Sequence, residues 1–140
     1  MIILDTNVLS EFIRARPEPR VTQWLSDQAP SRIYTTAVNL QECFYGAELL
    51  DQPAQSLLIG RLEVLFESVI GGRVLSFDEI SARYCAVLLS RRRRAGRPLE
   101  QADAQIASIC ARHGATLATR NVTDFIDTGV SIVNPWDARR

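Results

Sequence analysis

The stretch Met1-Ile2-Ile3-Leu4-Asp5-Thr6-Asn7 decides the fold. Ile2, Ile3 and Leu4 form an unbroken apolar run, as a strand covered on both faces of a parallel sheet requires. The run ends in a carboxylate, a hydroxyl and an amide. In open α/β sheets ligands bind beyond the carboxyl ends of the strands, so an Asp at this point delivers charge to a binding crevice. The plainer alternative is that Asp5 only caps a helix beginning near Val8, since Asp, Thr and Asn are all good N-cap residues.

The remaining residues alternate helical and strand-like segments. Val8–Arg14 and Arg20–Ser26 read as helices separated by Pro17 and Pro19, and Ile33-Tyr34-Thr35 as a strand. Thr36 caps a long helix, Ala37–Leu50. A further helix over Ala54–Val69 has Leu57, Leu58, Leu62, Leu65 and Phe66 at helical spacing. After Gly71-Gly72 comes a strand made by Val74-Leu75 with Phe77. Asp78 then caps a helix running to about Arg94, with Tyr84, Val87 and Leu88 expected inward. Gly96-Arg97-Pro98 breaks it, and Glu100–Arg112 is the next helix, closed by Gly114. Thr116–Ala118 and Val130–Val133 are the last strands, with a helical turn at Asp124-Phe125 between them. Short strands separated by helices imply a parallel sheet with right-handed crossovers, a three-layer α/β/α sandwich. At 140 residues, without repeats or a low-complexity linker, the chain is expected to be a single domain, 1–140.

Composition narrows the chemistry. The apolar fraction of 46% and charged fraction of 23% are those of a globular protein. No apolar run approaches the ~18 residues of a membrane span, and no basic region precedes an apolar stretch at the start, so a cytoplasmic location is expected. All 16 basic residues are Arg, which removes P-loop and Schiff-base chemistry, both of which need Lys. The only histidine, His113, falls at a helix end, where it serves the dipole better than catalysis. Cys43, Cys85 and Cys110 lack CxxC or CxxH spacing and read as small buried hydrophobes. Net charge is zero, so no global field announces a nucleic acid. Carboxylate is what remains in quantity.

Two carboxylates follow strand ends and two occupy helix faces where solvent is not expected. At about 100° per residue, Glu42 lies in line with Val38, Tyr45 and Leu49, with Gly46 removing bulk beside it, while Gln41 and Glu48 mark the solvent side. Asp103 shares a face with Ile106, Ala107 and Cys110. The segment Ala118-Thr119-Arg120-Asn121-Val122-Thr123-Asp124-Phe125 repeats the N-terminal pattern, an apolar strand ending in polar groups with an acid just beyond. Asp5, Glu42, Asp103 and Asp124 brought to one crevice would repel unless a cation joined them. Oxygen-only ligands suit Mg²⁺ or Mn²⁺, which serve chiefly phosphate chemistry.

These residues resemble the PIN-domain family, in particular the VapC/FitB-type toxins of bacterial toxin–antitoxin pairs. The likeness runs along the chain, through Leu4-Asp5-Thr6-Asn7-Val8, Glu42 with Gly46, Asp103 with Ile106-Ala107, Thr119-Arg120-Asn121 with Asp124-Phe125, and Asn134-Pro135-Trp136. The resemblance implies a Mg²⁺- or Mn²⁺-dependent ribonuclease with a Rossmann-like sandwich. It also implies a homodimer silenced by a small VapB/FitA-like antitoxin, with DNA met only through that antitoxin. Carried over, Asp5, Glu42 and Asp103 form the acidic core. The fourth ligand is Asp124, or Asn121 acting through a water. Thr6, Asn7, Thr119 and Asn121 resemble supporting residues. The implied chemistry is in-line hydrolysis of an RNA phosphodiester by water activated with help from a carboxylate, without a covalent enzyme intermediate.

Arg91-Arg92-Arg93-Arg94 with Arg97 has three readings: a solvated helix end favoured by the dipole, a contact for RNA phosphates, or a contact for an acidic antitoxin segment. Competing functional classes fit less well. Haloacid-dehalogenase-like phosphatases need an Asp where Asn7 stands and a later Lys. A receiver-like Mg²⁺-binding module needs an acidic pair before its acceptor and a Lys near the end. A PIN domain that has lost catalysis has no need to keep the full acidic set.

Overall fold

The computed structural model describes residues 1–137; the last three residues of the expected domain lie outside them. Five strands, β1 (Ile2–Leu4), β2 (Ile33–Thr36), β3 (Val74–Leu75), β4 (Thr116–Ala118) and β5 (Ser131–Val133), form one sheet. Their order is β3-β2-β1-β4-β5 and every pairing is parallel. The apolar N-terminal run is therefore the central strand, and all three of its residues are buried.

Six α-helices cover the sheet: α1 (Thr6–Glu11), α2 (Pro19–Ser26), α3 (Ala37–Glu48), α4 (Ala54–Val64), α5 (Glu79–Arg94) and α6 (Gln101–His113). A π-helical turn, Leu65–Val69, extends α4. Alternation along β1 separates two cores. Ile2 and Leu4 pack with Val8, Leu9, Val21, Leu62 and Phe66 of the first helical layer. Ile3 points the other way, into Cys85, Leu88, Ile106, Ala107 and Cys110 of α5 and α6. Helix α3 serves both sides, giving Val38 to one core and Ala47 to the other. The result is the expected α/β/α sandwich.

Local signals operate as their chemistry requires. Thr36 and Asp78 cap α3 and α5 through side-chain bonds to the backbone N–H groups of Asn39 and Ser81. Gly114 ends α6 at φ +60°, a left-handed value that suits glycine. Helix α1 begins at Thr6, two residues earlier than expected, because Asp5 caps it. Glu100 precedes α6 without making a side-chain cap bond.

The inward face of α5 differs from expectation. Leu88 is buried as expected, but Tyr84 and Val87 are exposed, and Ser81, Cys85 and Arg92 complete the inward face instead. Helix α6 presents Ala104, Ala107 and Ser108 to its neighbours, and small residues let two helices approach closely only along small faces. Leu57 is likewise exposed, although Leu62, Leu65 and Phe66 are buried as expected. No helix among the described residues is long and apolar enough to cross a membrane.

Chain order places the crevice. The chain steps outward from β1 through β2 to β3, then returns to lay β4 on the opposite side of β1. The connections diverge at β1 and β4, so the sheet opens beyond their carboxyl ends, where α/β proteins bind ligands.

Candidate active site

Asp5 emerges from β1 at this switch point and is buried. Its backbone N–H continues the ladder by donating to the Ala118 carbonyl of β4 (2.9 Å). Its carboxylate is held on both oxygens. Oδ1 accepts from the Thr6 N–H (2.8 Å) and from Asn39 Nδ2 (2.9 Å), and Oδ2 accepts from Thr119 Oγ1 (2.7 Å). Asp5 thus does cap α1, and the same carboxylate is locked at the mouth of the crevice. The two readings of its role describe one geometry.

Asn39 is the residue that the sequence reading missed. It is fully buried, and its amide donates to Asp5 and to Thr6 Oγ1 (3.1 Å) while its Oδ1 accepts from Thr36 Oγ1 (2.7 Å). The available signal was its place three residues before Glu42, on the same side of α3. The expected supporting residues complete the network. Thr119 Oγ1 accepts from Asn121 N (3.0 Å) and Asn7 Nδ2 (3.4 Å), and Asn7 Oδ1 accepts from Arg120 N (3.2 Å). Thr6 Oγ1 donates to Glu42 Oε1 (3.3 Å), linking the first acid to the second. Asn121 contributes its backbone N–H, and its residue is exposed.

Glu42 requires a correction. It does not sit in a buried apolar stripe: Tyr45 and Leu49 are exposed, and Glu42 stands at the solvent rim. The faces of α3 were misassigned because its buried side consists of Val38, Asn39 and Ala47. Gly46 likewise relieves no crowding, since an added Cβ there would meet nothing within 4 Å. Glu42 still belongs to the crevice electrostatically. Partial burial of its carboxyl and then the charge of Asp5 raise its pKa, while the Thr6 hydroxyl opposes them.

Asp103 lies in the first turn of α6, with Ile106, Ala107 and Cys110 buried along its face as expected. Its carboxyl is pushed up to about 6, first by burial and then by Asp124, Asp5, Glu42 and Glu100. That coupling joins all four predicted acids in one field. Asp124 is exposed on the short helical turn Val122–Phe125, which Phe125 anchors in the core. Cys43 and Cys110 also feel the crevice. Burial first, then Glu42 and Asp5 for Cys43 and Asp5 for Cys110, push both thiols up to about 12. They stay protonated and are poor nucleophiles.

The donor set is one of oxygens, carboxylates with hydroxyls and amides behind them, which suits a hard divalent cation. Among the described residues no three Asp, Glu, His or Cys side chains are placed closely enough together to hold a metal ion between them. Mg²⁺ needs no such cluster, because it keeps several waters and takes only one or two carboxylates directly.

The arginine run divides in the structure. Arg92 is buried and bonds two backbone carbonyls, Arg97 O (2.8 Å) and Ile126 O (2.6 Å). Arg91 donates to Asp127 O (3.0 Å), and Arg97 pairs with the Asp127 carboxylate (2.5 Å). Arg93 and Arg94 are exposed and hold no side-chain bond among the described residues.

Comparison with known proteins agrees with this architecture. The family model described as PIN domain matches residues 2–130. The chain is similar to "Toxin FitB" of Neisseria gonorrhoeae, at 36% identity over 97% of this chain and 99% of that protein. It is also similar to "VapC ribonuclease Y4jK" of Sinorhizobium fredii, at 35% identity over 98% and 99%. The solved FitAcB structure from Neisseria gonorrhoeae superposes with a TM-score of 0.90 at 35% identity, covering 99% of this chain and all of that one.

Proposed function

The chain belongs to the PIN-domain family, and from that premise we propose that it is a Mg²⁺- or Mn²⁺-dependent endoribonuclease acting as the toxin of a toxin–antitoxin pair. The carrying observation is the electrostatic coupling of Asp5, Glu42, Asp103 and Asp124 at the β1–β4 switch point. The likeness to a protein named VapC ribonuclease supports RNA as substrate, and the likeness to toxin FitB supports the biological role.

Asp5, Glu42, Asp103 and Asp124 would hold the ion. When bound, Mg²⁺ or Mn²⁺ supplies Lewis acidity at a phosphoryl oxygen and neutralises charge developing on the leaving oxygen. The chain's own residues do the positioning. Thr119 and Asn39 fix the two Asp5 oxygens in direction, so that carboxylate has little freedom to turn. Thr6 ties Glu42 to the same centre. Asp103 faces the same centre from the first turn of α6, its carboxyl raised in the metal-free chain by burial and then by the charges of Asp124, Asp5 and Glu42. Arg93 and Arg94 are the arginines left to meet RNA phosphates or an acidic antitoxin segment. The same reading makes residues 1–140 one cytoplasmic domain, working as a homodimer under a small antitoxin and meeting DNA only through it.

The test is cleavage of single-stranded RNA by the purified chain. Cleavage is expected with Mg²⁺ or Mn²⁺, and none in EDTA or with Asp5→Asn, whose circular dichroism should remain native. Equal cleavage in EDTA, or full activity of that variant, contradicts the assignment.

A further inference from the structure

We propose that Arg92 is a positioning residue that sets the spacing of Asp103 and Asp124, a role resting on the reading of those acids as one metal centre. Arg92 ends the inward stripe of α5, and a buried guanidinium is costly unless its N–H groups are bonded. Among the described residues no carboxylate pairs with it, so it is not buried to make a salt bridge. Its planar fork instead grips two backbone carbonyls from different loops.

Each loop leads to one acid. Arg97 O belongs to the connection that runs into α6 and Asp103, and Arg97 N returns a bond to Arg92 O (2.9 Å), so this link is double. Ile126 O lies two residues after Asp124, at the end of its helical turn. The neighbouring bonds hold the same turn. Arg91 reaches Asp127 O, Arg97 pairs with the Asp127 carboxylate, and Thr128 Oγ1 donates to Phe125 O (2.6 Å). Asp127 itself sits at φ +61°, a left-handed conformation that Asp tolerates better than most residues with a side chain. Like charges on Asp103 and Asp124 push the turn away from α6, and Arg92 is the one buried group among these that bonds both segments. Exposed Arg91 and Arg97 reinforce the turn from outside.

A double-mutant cycle between Arg92 and Asp124 tests this, read as Mn²⁺ affinity by calorimetry. Arg92→Lys keeps the charge but loses the fork. In the native background it should weaken Mn²⁺ binding about tenfold, the low end of what losing support behind metal ligands costs. In the Asp124→Asn background it should change affinity by less than about twofold, because the acid it positions is gone. RNA cleavage by Arg92→Lys should show kcat reduced by a similar factor with KM unchanged. Native Mn²⁺ affinity in Arg92→Lys, or the same proportional loss in both backgrounds, overturns the proposal and leaves Arg92 a support of the fold alone. If the lysine variant melts below the assay temperature, Arg92→Gln, which has a planar donor group of its own, takes its place in the cycle. A wild-type chain that binds Mn²⁺ but cleaves no RNA counts against the ribonuclease assignment, while the affinity cycle still decides the role of Arg92.

Discussion

Asp103 carries the electrostatic cost of the crevice, and that cost is measurable. Its folded pKa of about 6 lies above the ordinary 3.8, so the folded metal-free protein binds this proton more tightly than the unfolded chain. The sign follows: the penalty is absent below about pH 4, grows as pH rises through about 6, and is constant above that. Asp103→Asn should therefore melt higher than the native chain in EDTA at pH 7.5, with the gap closing at pH 4. Solvent screening at this partly exposed carboxyl holds the difference to about 1 kcal/mol, or about 3 °C. A gap independent of pH contradicts the coupling. Asn39 tests the opposite sign. Asn39→Ala leaves Asp5 Oδ1 and Thr6 Oγ1 short of a donor and should cost about 1–3 kcal/mol in denaturant unfolding. Asp5 and Asp103 were legible in sequence because each breaks a short apolar pattern. Asn39 was not, since an Asn three residues after a capping Thr reads as part of the cap.

Helix α5 shows what periodicity leaves open. Its bulky apolar residues suggested an inward face through Tyr84 and Val87, yet the buried stripe is Ser81, Cys85, Leu88 and Arg92. A helix packed on a small-residue partner buries its own small face, and side-chain size alone misleads there. The same rotation divides the arginines, which in sequence form one undivided run. Arg93 and Arg94 face solvent while Arg91, Arg92 and Arg97 are committed to the Asp124 turn. Replacing Arg93 and Arg94 by Gln should lower the slope of log affinity for single-stranded RNA against log salt by about 1.4, at roughly 0.7 per phosphate contact. Mn²⁺ affinity should be unaffected. An unchanged slope assigns both residues to ordinary surface.

At the scale of the whole molecule, the strand order explains why residues distant in sequence share one field. The central place of β1 and the all-parallel pairing follow from a buried apolar run and from strands alternating with helices. Both were readable. The position of β4 beside β1 was not, because no local pattern records which strand a returning chain will join. That adjacency is what brings Thr119 to Asp5 and the Asp124 turn to Asp103. Expression in a bacterial host should arrest growth for the native chain and not for Asp5→Asn. The most direct test is Mn²⁺ binding to the purified chain at pH 7.5, compared with Asp5→Asn, Glu42→Gln, Asp103→Asn and Asp124→Asn. The predicted result is one saturable site in the native protein, weakened about tenfold or more by each substitution. No binding to the native chain, or native affinity in the Asp5 and Asp103 variants, contradicts a single centre built from these four acids.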